Sequence, residues 1–199
     1  MLSTATSSSA PLLVRLHPVV NMTDAQFFDF CQLNRELRIE RTATGDLIIM
    51  PPTGSATGGR NFNLIGQLWR WTDQDGTGIG FDSSTGFTLP NGAQRSPDAA
   101  WIKLDRWNQL TEEQQERFAP ISPDFVVELR SPSDNMTDLQ AKMQEYIENG
   151  VQLGWLIDRP QRQVFIYRAN VSVEQLDNPD HLSGESLLPG FVLDLSKIW

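Results

Sequence analysis

The sequence predicts a mixed α/β domain, a central sheet flanked by helices, on three observations. Runs with helical apolar spacing alternate with short runs rich in Val, Ile, Phe and Tyr. Turn signals such as Thr44-Gly45, Asn91-Gly92 and Gly150 separate them. The chain has 199 residues, 39% of them hydrophobic, enough to bury one core.

Residues 1–20 read as a flexible, extended arm and residues 21–199 as the domain. MLSTATSSSAPLLVRL places no positive charge ahead of its short apolar patch, a poor signal-peptide pattern. Thr23 and Gln26 have capping-box spacing, which predicts a helix over 24–37. ELRIERT and DLIIM then predict a hairpin turning at Ala43, Thr44 and Gly45, closed by Pro51 and Pro52. Helical spacing at 61/65/68 and 62/65/69, with Phe62, Ile65 and Trp69 on a wide apolar face, predicts a second helix over 61–72.

Short strands are predicted over 79–82 and 86–89, followed by the SPDAAWIKL strand. Residues 105–118 have the pattern of an acidic amphipathic helix ended by Pro120. The DFVVELR strand comes next. Asp134 or Asn135 caps a helix over 136–149, with Gly150 as its stop. LGWLID, QVFIYRA and VSVEQL are three successive strands, and Phe191 to Leu193 one more.

Composition excludes several chemistries. A single cysteine, Cys31, forbids an internal disulfide and fits a reducing, cytoplasmic compartment; its apolar helical neighbours predict a buried structural thiol. Two histidines, His17 and His181, in loop-like contexts argue against zinc and against a Ser-His-Asp triad. A net charge of −9 opposes broad attraction to nucleic acid or anionic membrane. No apolar run approaches the roughly 20 residues that span a bilayer.

The chemically informative residues are two acids set in strands. In DFVVELRSPSD, extended geometry puts Val126, Glu128 and Arg130 on one face and Phe125, Val127 and Leu129 on the other. In SPDAAWI, Asp98 follows Pro97 at a strand start. The plainer alternative is a solvated sheet face, with Glu128 paired to Arg130. On the following helix, Leu139, Met143, Tyr146 and Ile147 make an apolar stripe with Lys142 on its flank. Lys142 either reaches a cleft beside the sheet or pairs with Asp138 four residues earlier. Two carboxylates with a lysine suit Mg²⁺ and phosphodiester hydrolysis, because the ion takes few carboxylate oxygens and an ammonium offsets charge on phosphate.

SPDAAWI, PDFVVELRSPSD, the Asp138/Lys142/Tyr146 spacing and NGVQLGWLIDRP together resemble a bacterial restriction-endonuclease family of the PD-(D/E)XK nuclease-like superfamily. IERTATGDLIIMPPTG and LPGFVLDLSKIW extend the likeness over residues 23–199. The resemblance implies a restriction-endonuclease-like core, with Asp98 and Glu128 as metal ligands for Mg²⁺ (or Mn²⁺) and Glu40 assisting metal or water. The superfamily lysine two residues after the second acid is replaced by Arg130; Lys142 matches the position used instead by many members. Where the family often has a histidine after the PPTG turn, this chain has Arg60 and Asn61. Gly58 and Gly59 would allow a loop around a phosphate, without the rest of a P-loop pattern.

Three functions are weighed. The first is a Mg²⁺-dependent nuclease acting on DNA, with Asp98, Glu128, Lys142 and Glu40 at its centre. Arg60, Arg70, Arg95 and Arg130 are its candidate phosphate contacts, and fold analogy implies a homodimer. The second is a catalytically degenerate nuclease fold serving as a nucleic-acid or protein binding module. The third is a two-carboxylate hydrolase such as a glycosidase; its support is six tryptophans, although Trp101 and Trp155 lie in core-like runs.

Overall fold

A computed structural model describes residues 10–199. In chain order the elements are β1 (Leu12–Val14), α1 (Asp24–Leu33), β2 (Arg38–Arg41), β3 (Leu47–Met50), α2 (Ser55–Asp75), β4 (Gly78–Asp82), β5 (Phe87–Thr88) and β6 (Gln94–Arg95). They continue with β7 (Ala99–Lys103), α3 (Leu104–Trp107), α4 (Glu112–Gln115), β8 (Phe125–Leu129), α5 (Met136–Glu148), β9 (Leu153–Asp158), β10 (Gln163–Arg168), β11 (Val171–Asp177), β12 (His181–Ser183) and β13 (Val192–Asp194).

Two sheets organise the chain. The larger has the order β11-β10-β9-β8-β7-β4 and the smaller the order β1-β3-β2-β6-β5. Among the described residues, neighbouring strands of these sheets are antiparallel except β8 and β9, which run parallel because α5 carries the chain back between them. The expected mixed sheet flanked by helices is therefore what forms. The central strands β8 and β9 are buried at every position, as a sheet covered on both faces requires.

Alternation along β8 divides the interior. Phe125, Val127 and Leu129 face a core shared with Leu64 and Leu68 of α2 and with the C-terminal residues Phe191 and Ile198. Val126 faces a second core with Met143 and Tyr146 of α5 and with Phe87. A third, smaller core joins Phe27 of α1 to Ile39 and Leu47 of the N-terminal hairpin.

Local signals explain most boundaries. Thr23 and Gln26 form the expected capping box, and Asn135 caps α5 by accepting from the Thr137 N–H. Gly45 closes the β2–β3 hairpin at φ 91°, and Gly150 follows α5 at φ 100°, conformations that favour glycine. Helix α1 stops at Leu33 rather than 37, where the Asn34 side chain donates to the Phe30 carbonyl before β2 begins.

Four further expectations change. Residues 105–118 form only the single turns α3 and α4, separated by a second capping box at Thr111 and Gln114. One straight helix cannot serve them, because Trp107 and Leu110 pack beside Phe81 while Phe118 packs on Phe27 and Phe28 of α1. Helix α2 begins six residues earlier than its apolar pattern, so Gly58 and Gly59 are helical and form no phosphate loop. Within the N-terminal arm, residues 12–14 pair with β3, and Asp46 accepts from the Leu16 N–H at 2.8 Å; residues 1–9 lie outside those described. Cys31 is half-buried rather than buried, and burial pushes its thiol up to about 11, against activation as a nucleophile.

Candidate active site

The site forms where the chain passes from the small sheet into the large one. Strand β6 pairs with β2, and after three intervening residues β7 begins to pair with β8. Asp98 stands in that crossing, behind Pro97, which has no N–H to leave unpaired. The β7–β8 register sets Ala99 opposite Val127 and Ala100 opposite Val126. Continued by one residue, it sets Asp98 opposite Glu128. Opposed residues of an antiparallel pair share a face, with Cβ atoms about 5 Å apart. The Leu129 N–H donates to Asp98 Oδ2 at 2.8 Å and ties the acid to the end of β8.

Lys142 completes the cluster. It ignores Asp138 and bridges two acids, with Nζ 2.7 Å from Glu128 Oε1 and 2.8 Å from Glu40 Oε1. Glu40 comes from β2 of the small sheet, and its remaining contacts are Arg95 Nη1 at 3.1 Å and the Ser96 N–H at 3.0 Å. One turn beyond Lys142, the Tyr146 hydroxyl donates to Glu128 Oε1 at 3.0 Å. Its place in the apolar stripe conceals this role; the i,i+4 spacing from Lys142 is the signal in the sequence.

The electrostatics are those of a buried group of acids short of positive charge. Burial pushes Glu128 up to about 7; Asp98 and Glu40 add to the rise, and Lys142 opposes it. Burial also raises Asp98, against the Leu129 N–H, Arg38, Lys142 and Asn61. Glu40 ends below the usual carboxylate range, because Lys142, Arg95 and the Ser96 N–H outweigh its burial. Lys142 is raised by Glu128 and Glu40 despite burial, so it is an ammonium at neutral pH.

The four arginines separate. Arg95 is only 8% exposed and is held between Glu40 and Glu145, the latter at 2.6 Å, so it braces the cluster and is not free to meet phosphate. Arg130 turns to Asp158 at 2.9 Å and to the Asp134 carbonyl, and takes no part in the Lys142 network. Arg60 is half-buried and Arg70 exposed, both on α2. Asn61, on the same helix, donates from Nδ2 to Asp98 Oδ1 at 3.0 Å. Both histidines are exposed. Trp101 and Trp155 lie within the core, which removes them as sugar-stacking faces.

The Arg130 geometry carries a prediction. Asp158 is 2% exposed, so Arg130→Ala strands a buried carboxylate, and unfolding by urea is expected to show a loss of about 3 kcal/mol or more. Asp158→Asn in the same chain should recover much of it, and Mn²⁺ binding should be unchanged in both proteins.

The family model Uma2, described as putative restriction endonuclease, matches residues 24–196. The chain belongs to that family. Its fold is shared with the crystal structure of a putative nuclease belonging to DUF820 from Anabaena variabilis ATCC 29413. The two are 21% identical with a TM-score of 0.71, over 89% of this chain and 97% of that one. No curated protein matches.

The residues of this Uma2 chain suit a hard divalent ion held by few protein groups. Among the described residues no three His, Cys, Asp or Glu side chains are placed to enclose an ion. Asp98 and Glu128, opposed by the β7–β8 register, are the two carboxylates that could hold one, with water or substrate oxygen completing the shell, as Mg²⁺ prefers. Two observations fit this: burial, with the neighbouring acids Asp98 and Glu40 adding to it, lifts Glu128, and a buried acceptor, Asn61 Oδ1, has no partner.

Proposed function

We propose that the protein is a divalent-metal-dependent endonuclease that hydrolyses phosphodiester bonds in DNA. One observation carries the reading: antiparallel register places Asp98 and Glu128 on one face, with the Lys142 ammonium 2.7 Å from Glu128. Asp98 and Glu128 would hold Mg²⁺ or Mn²⁺. When bound, the ion supplies a polarised phosphoryl oxygen and a more acidic water.

The chain's own groups supply the rest. Lys142 stays charged, so it offsets negative charge gathering on the phosphate and does not act as the proton acceptor. Glu40 works through Lys142: both its oxygens are occupied by Lys142, Ser96 and Arg95, which fixes where the ammonium points. Tyr146 donates to the same Glu128 oxygen, Oε1, that Lys142 contacts, and so fixes that carboxylate from α5 as well. Arg60 and Arg70 on α2 are the remaining candidates for phosphate contacts, since no acid falls between Ser55 and Trp71. Cutting both strands of a duplex would call for a homodimer. Among the described residues no helix is long and apolar enough to cross a membrane, and the single cysteine fits the cytoplasm.

The test is Mn²⁺ titration together with cleavage of labelled duplex and single-stranded DNA. Because the ion must displace a proton from Glu128, affinity is expected to rise up to tenfold per pH unit below about 7 and to level off above it. Absence of Mn²⁺ binding at pH 8 would favour the second reading, a binding module on a nuclease fold, to which the Arg130–Asp158 pair and the −9 net charge give some weight.

A further inference from the structure

The side chain of Asn61 is half accounted for. Its Nδ2 donates to Asp98 Oδ1 at 3.0 Å, while its Oδ1 is buried and meets no hydrogen-bond donor. As a metal ligand Asp98 must be ionised, and an ionised carboxylate only accepts, so in that state the amide nitrogen faces Asp98 and the oxygen points away from it. With the Leu129 N–H on Oδ2, Asp98 is held at both oxygens and its plane is fixed.

A buried acceptor left without a donor costs about 1–3 kcal/mol. Such an atom beside a chemical centre calls for a water or an ion. Water carried on a cation is a strong donor, because the ion draws charge from its O–H bonds. Direct contact with the ion and contact through its water both need an acceptor lone pair here, and both are lost together with the side chain.

We propose that Asn61 is a positioning residue for the metal: Nδ2 orients Asp98 as a ligand, and Oδ1 accepts from water in the ion's hydration shell. This rests on the metal reading above. It adds a part of α2 to the site. Asn61 thereby joins a helix of one layer to an acid at the junction of the two sheets.

The test compares Mn²⁺ affinity in the metal-free full chain, its Asn61→Ala variant and its Asn61→His variant, with thermal unfolding of each without metal. A neutral imidazole, like the amide, donates from one nitrogen and accepts at the other. Asn61→Ala is expected to weaken Mn²⁺ binding about 10- to 100-fold, the range for groups that orient metal ligands. Asn61→His is expected to recover most of that, with unfolding temperatures that do not follow affinity. Binding in Asn61→Ala within twofold of the parent overturns the proposal while leaving Asp98 and Glu128 in place. A loss that tracks thermal instability, without recovery in Asn61→His, also overturns it and makes Asn61 structural. If the parent binds no Mn²⁺, the metal reading and this inference fall together.

Discussion

Glu128→Gln is expected to abolish Mn²⁺ binding and to reduce DNA cleavage at least about a thousandfold, while making the metal-free protein no less stable at pH 8. The loss of activity follows from removing one of two carboxylate ligands, since a bound ion supplies several kcal/mol and each 1.4 kcal/mol is about tenfold in rate. The stability result follows from the raised acid. Glu128 holds its proton up to about pH 7 in the folded protein, against about 4.3 in an unfolded chain. The folded state therefore binds the proton more tightly. The stability this contributes is whole below about pH 4.3, declines as pH rises, and is gone above about 7. Glutamine mimics the protonated acid and should flatten that decline. Urea midpoints at pH 5 and pH 8 measure it. A variant that is markedly less stable at pH 8 would show that the charged form of Glu128 holds the fold together, contrary to the burial argument.

Lys142→Met is expected to damage both fold and chemistry. Methionine keeps the length and the packing along α5 but leaves Glu40 and Glu128 facing each other without the ammonium that bridges them. Removing one partner of a buried ionic group costs about 3–5 kcal/mol. With no ammonium competing for the two acids, the variant should bind Mn²⁺ more tightly than the parent, and to that extent the deficit should shrink in Mn²⁺. Cleavage in saturating metal should fall about 10²- to 10³-fold through lost stabilisation of phosphate charge. Lys142→Arg should not restore it, because a planar guanidinium cannot put one point charge between two acids already 2.7 and 2.8 Å from Nζ. Denaturation with and without Mn²⁺, paired with single-turnover cleavage, separates the two effects. Undiminished cleavage in Lys142→Met would remove the lysine from the site.

The order of elements and the face on which each acid lies were legible in the sequence because they are local properties. Alternation in DFVVELR sorted Glu128 and Val126 away from Phe125, Val127 and Leu129, and the two cores divide along that line. The capping box at Thr23 and the glycine stop at Gly150 depend on three or four neighbouring residues and formed as their patterns require. The apolar stripe of α5 placed Lys142 at its edge for the same reason.

What tertiary structure alone decided is which distant groups meet. Nothing local says that Glu40, 102 residues before Lys142, shares its ammonium with Glu128. Nor does spacing show that Arg95 is spent on Glu40 and Glu145 while Arg130 turns to Asp158. The residues 105–118 make the same point: their helical period is genuine, but partners in two separate layers divided the segment into single turns. Charge pairing and packing across layers depend on sheet register and chain crossing, which are set by the sum of all contacts and not by any one window of sequence.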